Sequence, residues 1–335
     1  MPTYNGAAFL RECLESLQRQ TFADFEVVIV DDDSRDGSFE IAAEFARGDE
    51  RFHVHRNPQR LGLVGNCRRS LEIARAEWIK FAFQDDVLRP ACLEKLLAAC
   101  ERTGKPFGFC ERGFIFDDGT GAEVRQWFET HARRLREDYQ TAAVIEPGLA
   151  AKIAVREPAH NPVGEPTVTL IHRSLFQELG GFDEALIQLV DAEFWQRVLV
   201  NHGAAHVPEE LAGFRIHARA ASTVNRQERA FRMGLLDLLV LRHRFAFGRH
   251  FKNLRHSAAA ARPGWALRRD CALTAARAWR EAREKNRAGD PSFLAEWRTV
   301  RQHCRGLQTL ARIGLVLELP GRLKRAFTGK NQAAW

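Results

Sequence analysis

Two compact apolar runs in the first ninety residues each end in consecutive aspartates. Residues 25–30 precede Asp31-Asp32-Asp33, and residues 78–83 precede Asp85-Asp86. Runs of this length that are rich in β-branched and aromatic residues are typical of buried strands. The carboxyl edge of an α/β sheet binds ligands, and neighbouring carboxylates repel unless a cation or hydrogen-bond donors hold them. The pattern predicts a metal and phosphate site, although a turn with a helix cap is an equal alternative for the first run alone.

Strand and helix patterns alternate through the first 220 residues. This alternation predicts an α/β fold with a mostly parallel sheet and crossover helices. The predicted strands are residues 25–30, 52–55, 78–83, 107–116 and 168–171. The predicted helices are residues 38–47, 63–76, 90–101 and 173–179, with a further helix from residue 191. Residues 121–160 show no clear period.

The chain changes character near residue 220. Residues 226–335 contain 24 Lys and Arg against 8 Asp and Glu, a charge of +16, so residues 1–225 carry −9 of the total of +7. The second part is rich in Arg, Ala and Leu and has no strand pattern. We therefore predict an α/β domain over residues 1–220 and a basic α-helical region over residues 221–335. Such a region suits nucleic acid, anionic lipid or an acidic partner, and charge alone does not choose among them.

Several function classes lack their sequence signals. No Gly-x-Gly-x-x-Gly follows a predicted strand, which argues against a dinucleotide-dependent dehydrogenase. The first part is acidic and carries no RNA-binding or zinc-finger signature, so no nucleic acid partner is expected. The seven cysteines are scattered without a Cys-x-x-Cys pair, which favours reduced thiols in the cytoplasm. No apolar run reaches the roughly eighteen residues of a membrane span, so the chain is expected to be soluble or peripheral.

Five segments occur in the order found in a known family. They are Pro2-Thr3-Tyr4-Asn5, Val30 to Asp36, Asn57 to Asn66 with residues 78–81 behind it, Gln84-Asp85-Asp86, and Gly180 to Glu184 followed by Asp191 to Trp195. Over residues 1–220 the chain resembles the inverting glycosyltransferases of family 2, which have the GT-A fold. The resemblance implies a Rossmann-like sheet flanked by helices. It also implies sugar transfer from a nucleotide-diphosphate donor to a hydroxyl group, in polysaccharide, lipopolysaccharide or glycolipid assembly.

The resemblance assigns a donor nucleotide site. Its residues are Pro2, Thr3, Tyr4, Asp32, Asn66, Gln84 and Asp85. Thr3 and Tyr4 are expected against the base, and the Asp32 carboxylate is expected to accept hydrogen bonds from the base or ribose. A packed aromatic side chain is the alternative for Tyr4.

The resemblance also implies a magnesium or manganese site. Asp85 matches the second aspartate of the family's Asp-x-Asp motif, Asp86 stands beside it, and Phe83 replaces the first aspartate. Hard oxygen ligands of this kind suit either cation. Some relatives add a late histidine, and His217 is the candidate, with a purely structural histidine as the alternative.

A general base and an acceptor site complete the expectation. Asp191 matches the family's base, which takes the proton from the acceptor hydroxyl, although Val190 replaces the usual glutamate before it. The alternative is that Asp191 is only the N-cap of its helix. The acceptor, a glycan or lipid-linked glycan, is expected at Glu165, Asp183, Glu184 and Trp195, and a plain loop is the alternative at Glu165.

Both ends of the sequence carry expectations. Residues 306–324 combine leucines with arginines and suit the anionic inner face of a membrane, with a helix packed on the catalytic domain as the alternative. Members of the family enter the Pro-Thr-Tyr-Asn segment from an apolar strand, and here only Met1 precedes Pro2. We therefore expect the natural start to lie upstream. The broader alternatives are a binding protein that uses the basic tail and a transferase-like module without activity.

Overall fold

The computed structural model describes residues 1–139, 142–220, 223, 225 and 228–319, and for residues 131–139 it describes the backbone alone. The strands are β1 (Pro2–Thr3), β2 (Val27–Asp31), β3 (Phe52–Arg56), β4 (Trp78–Ile79), β5 (Val87–Leu88), β6 (Phe107–Phe116), β7 (Val144–Ile145), β8 (Thr169–His172) and β9 (Ala204–Ile216).

Helices alternate with these strands and then continue alone. Those of the first part are α1 (Ala7–Gln18), α2 (Ser38–Gly48), α3 (Gly62–Ile73), α4 (Cys92–Thr103), α5 (Ala122–Tyr139), α6 (Pro147–Arg156), α7 (Ser174–Leu179) and α8 (Val190–His202). Those of the second part are α9 (Asp237–Phe247), α10 (Lys252–Ser257), α11 (Gly264–Arg287), α12 (Ser292–His303) and α13 (Leu307–Glu318). A π-helical turn, Arg232–Leu236, leads into α9.

The strands form two sheets. β1, β2 and β3 pair in parallel in that order. The second sheet has the order β4-β8-β6-β9-β5, with β7 added on β9; the long β6–β9 pairing is parallel and the other pairings are short and antiparallel. Across the described chain the parallel pairings join most of the paired residues. The prediction of an α/β fold with a mostly parallel sheet is confirmed.

Some local predictions need correction. The strand predicted over residues 78–83 ends at Ile79, and residues 122–139 and 147–156 form helices that the sequence pattern did not reveal. β9 was also missed. Its apolar pattern is interrupted by the exposed stretch at residues 208–210, where the register against β6 shifts. Pro208 begins this exposed stretch. A proline at such an irregularity is typical of a strand that bends away from its neighbour.

A short first strand, β1, is present and pairs with β2. Pro2 aligns with Val30 and Thr3 with Asp31, and the Val30 N–H donates to the Met1 carbonyl at 2.9 Å. β2 therefore has a parallel neighbour on each side. Where the natural chain starts stays a prediction.

Two apolar cores organise the described residues. The first packs α1, α4 and part of α8 against the sheets and includes Leu10, Ile29 and Phe107. The second joins α6 and α8 to the helices beyond residue 230, through residues such as Val190, Leu236 and Trp297. The basic helical region thus shares a core with the helix that carries Asp191. The boundary near residue 220 stays a prediction.

The last described helix packs within the helical region. Leu307, Ala311 and Gly314 of α13 are buried, and a Cβ at Gly314 would lie 2.0 Å from the Ala272 carbonyl of α11. Glycine is required by this close approach. Residues 320–324, the end of the predicted membrane segment, lie outside the described residues. None of the helices described has the length and apolar character needed to cross a bilayer. All seven cysteines are described, and each is free and buried.

Candidate active site

The carboxyl ends of β1, β2 and β3 meet at one edge of the first sheet. The Asp32 N–H donates to the Thr3 carbonyl at 2.8 Å, and the Asn57 N–H donates to the Asp31 carbonyl at 2.8 Å. Parallel pairing places the residues that follow these strands side by side. The structure therefore brings together the first two segments assigned to the donor nucleotide.

Asp32 is buried and held by the loop that follows β3. Its Oδ1 accepts from the Leu61 N–H at 2.7 Å and from the Asn57 amide at 2.9 Å, and its Oδ2 accepts from the Gly62 N–H at 2.8 Å. Hydrogen bonds to a charged acceptor are the stronger kind, so this carboxylate anchors the start of α3. A contact of Asp32 with a nucleotide stays a prediction.

Tyr4 lies between two polar side chains. The Gln84 amide binds the Tyr4 backbone twice, accepting from its N–H at 2.7 Å and donating to its carbonyl at 3.0 Å. The Arg60 guanidinium lies 4.1 Å from the centre of the Tyr4 ring. Gln84 also passes so close to Gly6 that a Cβ there would lie 2.3 Å from it. Gln84 thus ties the Tyr4 loop to the second acidic segment, and Arg60 adds a cation that the sequence argument missed.

The remaining donor-site predictions fall on buried positions. Pro2 and Thr3 are buried in β1. The Asn66 side chain donates to the Val30 carbonyl at 2.9 Å and accepts from the Asn57 amide at 3.0 Å. Asn66 therefore acts as a brace between β2 and the loop after β3. Nucleotide contacts of these three side chains stay predictions.

Asp85, in the loop between β4 and β5, and His217, directly after β9, lie in contact. The Asp85 Oδ2 and the His217 Nε2 are 3.0 Å apart, although the two residues belong to distant segments of the chain. The Phe9 ring packs on the imidazole with centroids 4.6 Å apart, and the Arg215 guanidinium donates to the Asp85 carbonyl at 2.9 Å. A carboxylate oxygen and an imidazole nitrogen that converge in this way fit a divalent cation.

Asp86 faces inward instead. It is 2% exposed, and its Oδ1 accepts from the Arg215 N–H at 3.1 Å. Burial, and then the charge of Asp85, raise the pKa of Asp86 well above its ordinary value. In the part of the chain that the structure describes, no three metal-binding side chains come together. The structure thus brings Asp85 and His217 together and turns Asp86 away from them, and all three as metal ligands stay predictions.

Asp191 lies in the first turn of α8, in contact with the loop before β8. The Asn161 amide donates to its Oδ2 at 3.0 Å, and the Ala192 N–H donates to its Oδ1 at 2.7 Å. Burial, and then the negative charge of Glu165, raise the pKa of Asp191 to about 7. The N-cap alternative is wrong, because the cap position is Leu189 and Asp191 is already helical.

Glu165 interacts with the carboxylate of Asp86 and with that of Asp191. It forms an ion pair with Arg112, with Oε2 and Nε 2.8 Å apart, and both side chains are largely buried. Its charge raises the pKa of both Asp86 and Asp191. Glu165 is therefore close enough to interact by charge both with Asp86, next to Asp85, and with Asp191. Its contact with an acceptor stays a prediction.

Three further acceptor predictions have different outcomes. Trp195 is a correction: it is fully buried, its Nε1–H donates to the Gly164 carbonyl at 2.9 Å, and it stacks on Phe107, so it belongs to the core. The Asp183 carboxylate is paired with Arg244 of α9 at 2.7 Å. Glu184 is exposed and pairs with Arg68 at 2.6 Å. Acceptor contacts of Asp183 and Glu184 stay predictions.

Sequence reasoning missed Asn161, Arg112 and Arg60. Asn161 holds its own loop as well as Asp191, because its Oδ1 accepts from the Gly164 N–H at 2.9 Å. The sequence signal that could have identified it is the Asn161-Pro162-Val163-Gly164 turn. Arg112 and Arg60 had no local signal, since each acts on a residue from a distant segment.

Comparison with known proteins assigns the chain to a family. The sequence model described as glycosyl transferase family 2 matches residues 1–180. "Uncharacterized protein MT1568" of Mycobacterium tuberculosis (strain CDC 1551 / Oshkosh) is 33% identical over 237 residues, 71% of each chain. The chain belongs to glycosyltransferase family 2. Asp191 and His217 lie beyond the residues that the family model matches.

Solved glycosyltransferase structures share the fold of this family 2 glycosyltransferase. TarS of S. aureus, residues 1–349 in complex with UDP, has a TM-score of 0.52 and 19% identity and covers 90% of this chain and 88% of its own. The mannosyltransferase PcManGT of Pyrobaculum calidifontis, in complex with GDP-Man and Mn²⁺, has a TM-score of 0.54 and 18% identity and covers 95% and 86%. These likenesses confirm the GT-A fold.

Proposed function

We propose that this family 2 glycosyltransferase moves a sugar from a nucleotide-diphosphate donor to a hydroxyl acceptor with inversion at the anomeric carbon. The observation that carries the proposal is the Asp191 carboxyl, a largely buried acid whose pKa is raised to about 7. A base with a pKa near the working pH combines the deprotonated form with a useful driving force for proton transfer.

Inversion requires one base and one displacement. The acceptor oxygen forms a bond to the anomeric carbon while the bond from that carbon to the diphosphate oxygen breaks. Asp191 takes the hydroxyl proton, and Asn161 holds the carboxylate by a 3.0 Å bond to its Oδ2. Arg112 compensates the charge of Glu165 beside it. This arrangement leaves Asp191 as the group that accepts the proton.

The donor is proposed to bind across the two acidic segments. Tyr4 with Arg60 above its ring offers a flat cationic surface for a base or phosphate, and Asp32 orders the loop that carries Arg60. Asp85 and His217 would hold Mg²⁺ or Mn²⁺. When bound, the cation supplies charge neutralisation of the diphosphate leaving group. The solved relatives TarS, in complex with UDP, and PcManGT, in complex with GDP-Man, support a nucleotide-sugar donor of this kind.

The acceptor is proposed to be a glycan or a lipid-linked glycan in polysaccharide, lipopolysaccharide or glycolipid assembly. Glu165, Asp183 and Glu184 are the proposed contacts, and no nucleic acid partner is expected. The basic helical region would bring the enzyme to the anionic inner face of the membrane from the cytoplasm. Its charge of +16 over residues 226–335 supports this location.

The test is a panel of sugar nucleotides. Thermal shift with and without Mn²⁺ identifies the donor, and NMR of the product then gives the anomeric configuration. We expect one nucleotide sugar to stabilise the protein in a metal-dependent way and the product to have the opposite configuration. Retention of configuration would contradict the inverting mechanism. Stabilisation without turnover on a broad set of acceptors would favour an inactive binding module.

A further inference from the structure

The turn that leads into α8 depends on the helical region. Ile187, Gln188 and Leu189 precede the helix, and none of them has a side chain suited to capping. Leu189 occupies the cap position without a side-chain hydrogen bond. Their backbone N–H groups therefore need acceptors from elsewhere, because unpaired polar groups away from water are costly.

Asp237 at the start of α9 supplies this acceptor. Its Oδ2 accepts from the N–H groups of Ile187 at 3.1 Å, Gln188 at 2.7 Å and Leu189 at 3.1 Å. Three successive N–H groups on one oxygen form a small anion-binding concavity. The Asp237 side chain is 0% exposed, so water does not replace these bonds.

Arg232 forms a buried ion pair with Asp237. Its Nε lies 3.4 Å from the Asp237 Oδ1, and its Nη2 donates to the Ala185 carbonyl in the same turn. Glu296 of α12 pairs with Arg232 on the other side at 3.7 Å. A buried, compensated charge network of this kind fixes geometry, because removing one member leaves the others unpaired.

We propose that Asp237 is a positioning residue for Asp191, so that the basic helical region sets the place of the general base. Leu189, whose N–H binds Asp237, is separated from Asp191 by Val190 alone. Val190 and Leu236 also lie in one core, which joins the two regions beside the network. The inference rests on the proposed function, since it concerns the base of that reaction.

The kinetic test compares Asp237→Ala with Asp237→Asn in the full chain. Asp237→Ala removes the acceptor, and we expect kcat to fall by about 10- to 100-fold, the scale of a small misplacement of a catalytic group, with the donor KM within about twofold. The Asn variant keeps one acceptor oxygen and should recover part of the loss. Asp270→Asn, which disturbs the Arg262 ion pair inside the helical region, is the matched control and should keep kcat.

Two structural measurements do not depend on turnover. Asp237→Ala should increase hydrogen exchange over residues 186–193, and Asp270→Asn should not. Asp237→Ala should also let water reach Asp191, and because burial is the main cause of the raised pKa of this carboxyl, its pKa measured by NMR should be lower in the variant than in the wild type. Glu165 raises and Arg112 lowers the pKa of Asp191 by their charges, and the variants leave both residues in place.

The outcomes separate the two proposals. A wild-type protein without transfer contradicts the proposed function, and the exchange and titration measurements then still test whether Asp237 controls Asp191. Active wild-type protein with unchanged kcat, exchange and Asp191 titration in folded Asp237→Ala would overturn the positioning role. So would a loss of kcat that Asp270→Asn shares, because that would reflect stability alone. If Asp237→Ala does not fold, the same comparisons apply to Asp237→Asn.

Discussion

Asp32 and Asp191 are both largely buried carboxylates, and their surroundings differ. Asp32 accepts from two backbone N–H groups and one amide of the loop after β3. Asp191 accepts from one amide and from the N–H next to it, and it faces a second carboxylate, Glu165. A carboxylate surrounded by donors serves as a structural anchor. One with few donors and a negative neighbour is suited to take up a proton.

The largest expected effect comes from Asp191→Asn. Loss of a general base typically costs about 10²–10⁴-fold in rate, so kcat should fall by that range while donor binding is retained. Because the ionised carboxyl is disfavoured in the folded protein, the variant should melt at the same or a higher temperature at pH 8. Calorimetry and steady-state kinetics on the same samples check both statements. Transfer within a few-fold of wild type would remove Asp191 from the reaction.

The pH profile sharpens the comparison. Since only deprotonated Asp191 can act as base, activity should rise through a pKa of about 7 and fall about tenfold for each pH unit below it. The same group binds a proton in the folded chain between 3.8 and about 7, so its contribution to stability decreases as pH rises through that window.

Glu165→Gln tests the cause of that profile. It removes the negative charge and releases Arg112, and both changes favour ionised Asp191, so the acid limb should move to lower pH. Glu209→Gln, at an exposed ion pair with Lys95, is the control and should leave the limb in place. An acid limb that does not move in Glu165→Gln would mean that burial alone sets the pKa.

A fourth prediction concerns Asp85. Asp85→Asn should weaken Mn²⁺-dependent donor binding by at least about tenfold, because it leaves His217 without its carboxylate partner. His217→Gln should act in the same direction. Isothermal titration with the donor in the presence of Mn²⁺ or of a chelator measures the effect. Equal Mn²⁺-dependent affinity in both variants and wild type would rule out this pair as the cation site.

The smallest expected effect is that of Asp32→Asn. An amide presents donors where the loop N–H groups need an acceptor, so the free energy of unfolding should fall by about 1–3 kcal/mol. Asp33→Asn is the control, because Asp33 is 40% exposed and its partner Arg56 is 3.5 Å away. Chemical denaturation of the three proteins checks the difference. Equal stabilities would show that Asp32 does not anchor the loop.

The sequence was sufficient for features that depend on neighbours along the chain. The strand before the first acidic segment, the helices at residues 38–47 and 90–101 and the family itself were recognised from local patterns. Apolar period and turn residues act over a few positions, so they can be identified without a partner. Regions whose pattern is interrupted were not recognised, as at β9 with its exposed residues 208–210 and at the helix over residues 147–156.

Tertiary structure decided what each functional side chain contacts. The Trp195 side chain was taken for an acceptor contact because it follows Asp191 in a family motif, yet the helix turns it into the core. The Asp85–His217 contact, the Glu165–Arg112 pair and the Asp237 network each join segments far apart in sequence. Burial and charge pairing are set by which segments fold against each other. The raised pKa of Asp191, which depends on Glu165 and on burial, therefore exists only in the folded protein.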